Sequence, residues 1–180
     1  MSQPASRLCE SSVADWAKIQ ALVLDVDGVL TDGTIFVGPD GFELKQFSIL
    51  DGMGLACLKK LGVTLAVISG RMSPATTSRM TELNFDHVIQ GREDKGVALT
   101  ALASEIQIPV GSICYMGDDE IDIPALKASG IGVAVANAVS KAIAAADYVT
   151  ENPGGQGAVR EVCDRILESR NESVLSLSTQ

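Results

Sequence analysis

Two aspartates stand two residues apart where a predicted buried strand ends. The run Ala21–Val26 is apolar apart from Asp25, and Asp27 follows it directly. Two carboxylates this close repel each other unless a cation binds or one of them takes a proton. One acid can then act as an anionic nucleophile while the other transfers protons. Two loop acids facing water are the alternative for a bare pair, but the following Gly28 and Thr31 make the pattern more specific.

A second acidic cluster follows another apolar run late in the chain. Ile113–Met116 precedes Asp118 and Asp119, and Asp122 stands near a predicted helix start. Asp122 could simply cap that helix. For Asp118 a metal ligand is the better interpretation, because Mg²⁺ takes one or two carboxylates together with waters and a substrate phosphate.

Three further residues are candidates to bind a phosphoryl group. Ser69 and Gly70 follow the apolar run Thr64–Ile68, which would place a hydroxyl and free backbone N–H groups at a strand end. Lys95 stands at the start of a predicted helix, where the helix dipole disfavours a cation unless an anion is present. Taken singly, Ser-Gly is an ordinary turn and Lys95 an ordinary solvated lysine. The case for a site depends on these residues occurring together with the acids.

Short apolar runs alternate with stretches of helical spacing along the chain. The predicted strands are Ala21–Val26, Thr64–Ile68, His87–Gln90, Ile113–Met116 and Ile131–Val135. The predicted helices are Gly54–Leu61, Pro74–Leu83, Lys95–Ile106, Ile123–Ala128, Val139–Ala145 and Ala158–Ser169. This alternation favours an α/β, Rossmann-like parallel sheet with helices on both faces. The carboxyl ends of parallel strands meet at one edge, so the motifs above would converge there.

One segment departs from the alternation. Thr34–Val37 and Glu43–Ser48 flank Gly38-Pro39-Asp40-Gly41, a turn sequence that predicts a β-hairpin directly after the first strand. The hairpin would stand beside the site as a flap. No segment between the motifs is long enough to form a cap domain.

Composition excludes several classes of function. The 180 residues carry a net charge of −9 without a Lys/Arg run, which argues against a nucleic-acid partner. No apolar run approaches the ~18 residues that a membrane span requires. The four cysteines are widely separated, which argues against a disulfide framework or a zinc site. We therefore expect a soluble, cytoplasmic protein.

The four motifs, in this order, resemble those of the haloacid dehalogenase superfamily of phosphatases. More narrowly, the chain is similar to the small capless branch that contains 3-deoxy-D-manno-octulosonate 8-phosphate phosphatase. The residues that carry the resemblance are Asp25–Gly33, the hairpin, Asp51-Gly52, Ser69-Gly70-Arg71, Asp94-Lys95, Gly117-Asp118-Asp119, Ala146–Val149 and Gly154–Cys163. The polar, mixed composition of residues 1–18 predicts an N-terminal arm and that of residues 171–180 a polar tail, which leaves the phosphatase domain at 19–170.

The resemblance also implies roles for individual residues. Asp25 would attack phosphorus, and Asp27 would protonate the leaving alcohol and then activate water. Magnesium would be held by the Asp25 carboxylate, the Asp27 backbone carbonyl and Asp118. Ser69 and Lys95 would bind the phosphoryl group. Further supporting residues are Asp119 and Asp122 near the metal, and Ser48, Asp51, Gly52, Gly70, Arg71 and Arg79 near the substrate.

The substrate and the assembly are further expectations of the resemblance. A small sugar phosphate, 3-deoxy-D-manno-octulosonate 8-phosphate, is the expected substrate, in lipopolysaccharide biosynthesis, and a homotetramer is the expected assembly. The branch usually carries arginine where this chain has Leu50, Ala56 and Gln156, so a sialic-acid-type 9-phosphate stays an alternative. Two alternatives of another class are a receiver-like phosphoacceptor and a non-catalytic regulatory module.

Overall fold

A computed structural model describes residues 13–178 of the chain. Its main element is a six-stranded sheet with the order β5-β4-β1-β6-β7-β8. The strands are β1 (Ala21–Leu24), β2 (Phe36–Val37), β3 (Glu43–Leu44), β4 (Thr64–Ser69), β5 (His87–Gln90), β6 (Ile113–Gly117), β7 (Ile131–Ala134) and β8 (Tyr148–Val149). The helices are α1 (Val13–Ala17), α2 (Ile49–Lys60), α3 (Pro74–Glu82), α4 (Lys95–Glu105), α5 (Ile123–Ala128), α6 (Ser140–Ala145), α7 (Ala158–Ser169) and α8 (Val174–Ser178).

All pairs in the main sheet are parallel, as the sequence predicts. The central strand β1 pairs with β4 on one side and with β6 on the other, so that Leu24 lies opposite Val67 and Met116. Every residue of β1 is buried, which explains its unbroken apolar sequence. The strand β8 at the edge was not predicted, because two residues are too few to give a periodic pattern.

Alternate residues of the central strand build two cores. Leu22 and Leu24 pack on one face of the sheet with side chains of α2 and α7, such as Leu58 and Ile166. Ala21 and Val23 lie in the other cluster, which includes side chains of α4 and α5. The sheet is therefore covered by helices on both faces, and the Rossmann-like α/β expectation is confirmed.

The helix α2 begins five residues earlier than the sequence pattern predicts. Its N-cap is Ser48, whose hydroxyl accepts the backbone N–H of Asp51 at 3.4 Å. Gly52 and Gly54 lower the helix propensity of this first part. Neighbouring side chains leave no room for a larger residue, since a Cβ atom on Gly54 would lie 2.9 Å from the Cβ of Cys163. Close packing against α7 thus explains both the glycine and the misplaced boundary.

The predicted hairpin is present but its strands are short. β2 and β3 pair antiparallel through Phe36 opposite Leu44 and Val37 opposite Glu43. A 3₁₀ turn at Pro39–Gly41 joins them. Apolar side chains on both strands are more than half exposed, which is unusual for a monomeric surface when they are contiguous.

The ends of the described chain pack on the domain. Trp16 of α1 is buried and makes an edge-to-face contact with Tyr148 at 5.8 Å between ring centroids. Leu177 of α8 is also buried, and its carbonyl accepts a hydrogen bond from Lys60 at 2.6 Å. The domain boundaries stay a prediction, and their outermost parts, 1–12 and 179–180, lie outside the described residues. Between residues 13 and 178, no helix is long and apolar enough to cross a membrane.

Candidate active site

The carboxyl ends of three neighbouring strands open into one small cavity. It has a volume of about 200 Å³ and lies at the edge of the sheet where β1, β4 and β6 end. Its lining residues are Asp25, Asp27, Ser69, Gly70, Arg71, Lys95, Asp118, Asp119 and Ile121. Eight of these nine residues were predicted from the sequence as site residues, so the structure brings the distant motifs together.

The loop after β1 is held by a single hydroxyl. Oγ1 of Thr31 accepts the N–H groups of Gly28 at 3.3 Å and Gly33 at 3.2 Å, and donates to the carbonyl of Val26 at 3.4 Å. Gly28 has a φ of +101°, and a Cβ atom there would lie 2.1 Å from Oδ2 of Asp118. Glycine is therefore required both by the backbone conformation and by the carboxylate that packs against it.

The buried Lys95 forms ion pairs with two aspartates at the cavity. Nζ of Lys95 lies 2.8 Å from Oδ1 of Asp25 and 2.7 Å from Oδ1 of Asp122. Burial alone would lower the pKa of Lys95, but the two negative charges outweigh it and raise that pKa. The lysine therefore stays charged, and it compensates the charge of the buried carboxylates.

Asp122 is fully buried and supports the site through hydrogen bonds to its neighbours. Besides Lys95, its Oδ1 accepts the phenol of Tyr115 at 2.7 Å, and its Oδ2 accepts the N–H groups of Asp118 at 3.0 Å and Asp119 at 3.1 Å. Four hydrogen bonds saturate this carboxylate. These contacts orient the strand end and Lys95.

Asp25 and Asp118 have the electrostatics of a metal site. Burial, opposed by the charge of Lys95, raises the pKa of Asp25 to about 6. Burial and the neighbouring charge of Asp25 raise the pKa of Asp118 to about 8. Two carboxylates that repel in this way accept a cation readily, because the cation relieves both burial and repulsion.

The donor set fits Mg²⁺. One carboxylate oxygen from each of Asp25, Asp118 and Asp122 lies within 4.8 Å of the other two. Oδ1 of Asp118 is buried and accepts no hydrogen bond, so it is available as a ligand, whereas Asp122 is already saturated. Hard oxygen ligands of this number, with room for water and phosphate, are those that Mg²⁺ prefers.

Ser69, Gly70 and Arg71 form the wall that β4 contributes. Ser69 is buried, and its Oγ accepts the N–H of Arg71 at 3.3 Å. The Arg71 guanidinium is half exposed and lies 2.7 Å from Oε2 of Glu43 in the hairpin. A hydrogen bond from Ser73 and the contact with Arg71 hold the pKa of Glu43 below its usual range. The hairpin is thereby tied to the cavity wall.

One buried cation at the site was missed in the sequence. Nζ of Lys45 lies 2.6 Å from Oδ1 and 2.9 Å from Oδ2 of Asp27. The pattern of the hairpin carries no signal for this contact, since a single lysine after a short strand is ordinarily solvated. Only the folding of the hairpin over the loop brings Lys45 to Asp27.

Four residues predicted to bind substrate lie outside this cavity. Ser48 caps α2, and its carbonyl accepts Nη2 of Arg79 at 3.3 Å. Oδ1 of the buried Asp51 accepts the N–H of Arg160 in the first turn of α7 at 2.8 Å. Gly52 leaves room for Arg79, because a Cβ atom there would lie 2.7 Å from Nη2. These contacts are structural within one chain.

The late glycine segment packs against the loop after β1 from outside the cavity. The N–H of Gly155 donates to the carbonyl of Val29 at 2.9 Å. A Cβ atom on Gly154 would lie 1.7 Å from the carbonyl oxygen of Gly28. Both glycines are therefore fixed by close approach of two backbones rather than by a ligand.

A second, larger cavity of about 470 Å³ lies beside this segment. Its lining includes Leu50, Gln156 and Arg160. Leu50 and Gln156 stand at two of the positions where the octulosonate-phosphate phosphatase branch usually carries arginine. The guanidinium of Arg160 is paired with Asp164 through Nε at 2.9 Å. Ala56 is not among the lining residues.

Known proteins share both the sequence and the fold of this chain. The profile of the haloacid dehalogenase-like hydrolases matches residues 76–162. The chain is 43% identical to 3-deoxy-D-manno-octulosonate 8-phosphate phosphatase KdsC of Escherichia coli strain K12 over 155 residues, which are 86% of this chain and 82% of that protein. It is 41% identical to the KdsC phosphatase of Yersinia pestis over 169 residues, 91% of this chain and 90% of that one.

A solved structure agrees closely with the fold. The 3-deoxy-D-manno-octulosonate 8-phosphate phosphatase of Moraxella catarrhalis, in complex with magnesium, phosphate and KDO, superposes with a TM-score of 0.89 at 40% identity. The match covers 93% of this chain and 96% of that one. With the acidic pairs, Ser69 and Lys95 gathered at one edge of such a sheet, the chain belongs to the haloacid dehalogenase-like hydrolases, in the family of the KdsC phosphatases.

Proposed function

We propose that this enzyme hydrolyses the phosphate ester of a small sugar acid, 3-deoxy-D-manno-octulosonate 8-phosphate, through a phosphorylated Asp25. The observation that carries the proposal is the position of the Asp25 carboxylate. It lies in a small cavity, 2.8 Å from the ammonium of a buried lysine and close to the carboxylate of Asp118. The similarity to the KdsC phosphatases indicates the substrate, and the residues of the cavity indicate the chemistry.

In the first step an Oδ atom of Asp25 attacks phosphorus. The bond from phosphorus to the sugar oxygen breaks, and Asp27 gives a proton to that oxygen as the alcohol leaves. A proton donor in this place contributes about 10²- to 10⁴-fold to such a reaction. The product on the enzyme is an acyl phosphate on Asp25.

In the second step water replaces Asp25 on phosphorus. Asp27, now a carboxylate, takes a proton from the water as its oxygen attacks, and the bond between phosphorus and Asp25 breaks. Inorganic phosphate leaves and the Asp25 carboxylate is restored. Asp27 thus acts first as an acid and then as a base.

The phosphoryl group needs compensation of its negative charge during both steps. Ser69, Gly70 and the ammonium of Lys95 line the cavity next to Asp25 and supply a hydroxyl, a backbone N–H and a positive charge. When bound by Asp25, Asp118 and the Asp27 carbonyl, Mg²⁺ supplies further positive charge at the phosphoryl oxygens. Positioning and charge compensation are what phosphoryl transfer demands of a protein.

The sugar-acid carboxylate requires a cation of its own. Arg71 is half exposed at the cavity mouth and is the candidate within one chain. A sialic-acid-type 9-phosphate is a second candidate substrate, favoured by one observation: the larger cavity carries Leu50 and Gln156 in place of arginines. A cavity with fewer cations would select differently among sugar acids.

A homotetramer would extend the site. The exposed apolar side chains of the hairpin, including Phe36, Phe42 and Leu44, offer a surface for packing against a second copy. Ser48, Asp51, Gly52 and Arg79 stand outside the cavity of their own chain, so a role in binding substrate would require a neighbouring subunit. We place the enzyme in the cytoplasm, in lipopolysaccharide biosynthesis. The unpaired, buried Cys57, Cys114 and Cys163 support a reducing compartment.

A phosphate-release assay tests the proposal directly. The protein is assayed with Mg²⁺ against octulosonate 8-phosphate, sialate-type 9-phosphates and other sugar phosphates. We expect repeated turnover, abolished by chelation of the metal, with the highest kcat/KM for octulosonate 8-phosphate. A higher kcat/KM for a 9-phosphate would favour the second substrate, and stoichiometric phosphorylation without turnover would indicate a phosphoacceptor.

The Asp25→Asn variant is the matched test of the nucleophile. We expect a loss of at least about 10³-fold in kcat/KM, because a carboxamide cannot form the acyl phosphate. Asp40→Asn is the control, since Asp40 lies exposed in the hairpin turn at a φ of 60° that asparagine also tolerates. Substantial activity of Asp25→Asn would refute the proposed role.

A further inference from the structure

The side chain of Lys45 is completely buried, although the residue comes from an otherwise exposed hairpin. Its side chain has a relative exposure of 0%. Nζ lies 2.6 Å from Oδ1 and 2.9 Å from Oδ2 of Asp27, and 3.2 Å from Oγ1 of Thr76. Lysine is almost never fully buried unless it is paired. The ammonium donates hydrogen bonds to Oδ2 of Asp27 and Oγ1 of Thr76, and its close contact with Oδ1 of Asp27 completes an ion pair, so the buried charge is not left unpaired.

Lys45 approaches Asp27 from behind. Asp27 lines the cavity and Lys45 does not, so the ammonium contacts Asp27 from outside the cavity. The ammonium donates a hydrogen bond to Oδ2 and lies 2.6 Å from Oδ1, and these two contacts restrain the rotation of the carboxylate plane. Lys95, which does line the cavity, is the buried lysine beside Asp25. Each of the two aspartates of the first motif thus has its own buried lysine.

The hairpin that carries Lys45 is held on two sides. Glu43, two residues earlier, accepts hydrogen bonds from Ser73 at 2.7 Å and from Arg71 at 2.7 Å. Thr76, the third partner of Lys45, is also buried and lies in the first turn of α3. The contacts of the hairpin with the segment after β4 therefore determine the position of the Lys45 ammonium.

We propose that Lys45 is a positioning residue that holds the acid/base carboxylate of Asp27 in the orientation for proton transfer. The inference rests on the proposed function, in which Asp27 serves the leaving group. A displacement of a catalytic group by about 1 Å can cost about 10²-fold in rate. The hairpin is then part of the catalytic machinery, because it delivers this lysine.

Leaving groups of different basicity separate positioning from general damage. An alkyl phosphate such as octulosonate 8-phosphate needs a proton on its leaving oxygen, whereas p-nitrophenyl phosphate releases a stable phenolate without one. We expect Lys45→Met to lower kcat/KM for the alkyl ester by about 10²-fold and for the aryl ester by less than about 5-fold. Asp27→Asn should show the same contrast, and the double variant should be no slower than Asp27→Asn alone.

Lys141→Met is the control, because Lys141 forms an exposed ion pair with Glu120, and it should match the wild type on both esters. Equal losses of Lys45→Met on both esters, or no loss on either, would overturn the proposal. Lys45→Gln keeps an uncharged NH₂ donor group and replaces Lys45→Met if the latter does not fold, with a smaller contrast in the same direction.

A crystal structure of Lys45→Gln adds a readout that does not depend on activity. We expect the Asp27 carboxylate in a rotated or divided orientation, and an unchanged single orientation would overturn the positioning role. A wild-type protein that hydrolyses neither ester would refute the proposed function itself, and the crystal structure would still decide whether Lys45 orients Asp27.

Discussion

Nζ of Lys95 lies 2.8 Å from Oδ1 of Asp25, and both side chains are almost fully buried. Breaking a buried ion pair by removing one partner leaves an uncompensated charge, which is strongly destabilising. Lys95 also meets Asp122, so the one cation serves two acids. The arrangement keeps Asp25 anionic in a cavity where burial alone would favour the protonated carboxyl group.

Removing the hydroxyl of Tyr115 should destabilise the protein. Tyr115 is buried, and its phenol donates to Oδ1 of Asp122 at 2.7 Å. In Tyr115→Phe the acid keeps its other three donors, so we expect a decrease of about 1–2 kcal/mol in the free energy of unfolding. Urea unfolding measures it. An unchanged free energy would show that this hydrogen bond contributes nothing to the support of Asp122.

Adding a methyl group at Gly154 should displace the catalytic loop. A Cβ atom there would lie 1.7 Å from the carbonyl oxygen of Gly28, so the loop or the glycine segment must move. We expect Gly154→Ala to lose more than about 2 kcal/mol of stability and to lose activity as well. Gly111→Ala is the control, because nothing lies within 4 Å of its added Cβ atom. Equal stability of the two variants would contradict the close approach.

Asp51 should be more important for stability than for substrate binding. Its Oδ1 accepts the N–H of Arg160 at the start of α7, and burial raises its pKa. We expect Asp51→Ala to lose about 1–2 kcal/mol, and Asp51→Asn to lose less, since its amide oxygen can still accept. Unfolding curves and KM values are measured for both variants. A raised KM at full stability would instead favour the substrate-binding role implied by the resemblance.

Binding of Mg²⁺ should release a proton at neutral pH. The pKa of Asp118 is raised to about 8 in the absence of metal, so this carboxyl group is mostly protonated at pH 7. The metal binds the carboxylate and therefore displaces the proton. Affinity should rise as the pH rises towards 8. Calorimetric titration with Mg²⁺ in buffers of different ionisation enthalpy counts the protons released.

Asp118→Asn is the control for this titration, because asparagine has no proton to lose. We expect it to bind Mg²⁺ more weakly and with less proton release. A binding heat of the wild type that is the same in all buffers at pH 7 would contradict the raised pKa of Asp118.

The convergence of Asp25, Ser69 and Asp118 could be predicted from the sequence because it depends on local pattern alone. Each residue follows an apolar run, and parallel strands bring such positions to one edge. The partner of Asp27 could not be predicted in this way. Lys45 lies 18 residues away, and its burial depends on how the hairpin folds back over the loop. Long-range packing of this kind leaves no periodic signal.

Helix boundaries and supporting contacts likewise depend partly on local pattern, which the sequence shows, and partly on long-range packing, which it does not. The first turn of α2 was missed because Gly52 and Gly54 have poor helix propensity, while the packing against Arg79 and Cys163 that requires them is tertiary. Asp122 was expected near the metal because it lies four residues after Asp118 in the sequence. Its saturation by Tyr115 and Lys95 follows only from the three-dimensional arrangement.

Acid-quenched mass spectrometry of the Asp27→Asn variant during turnover of p-nitrophenyl phosphate, whose leaving group needs no proton from Asp27, tests the central claim most directly. Without the base for the second step, the phosphoryl group should accumulate on the peptide that contains Asp25, and it should be absent from Asp25→Asn. Steady turnover of substrate by Asp25→Asn, or a phosphoryl group on any residue other than Asp25, would contradict the account.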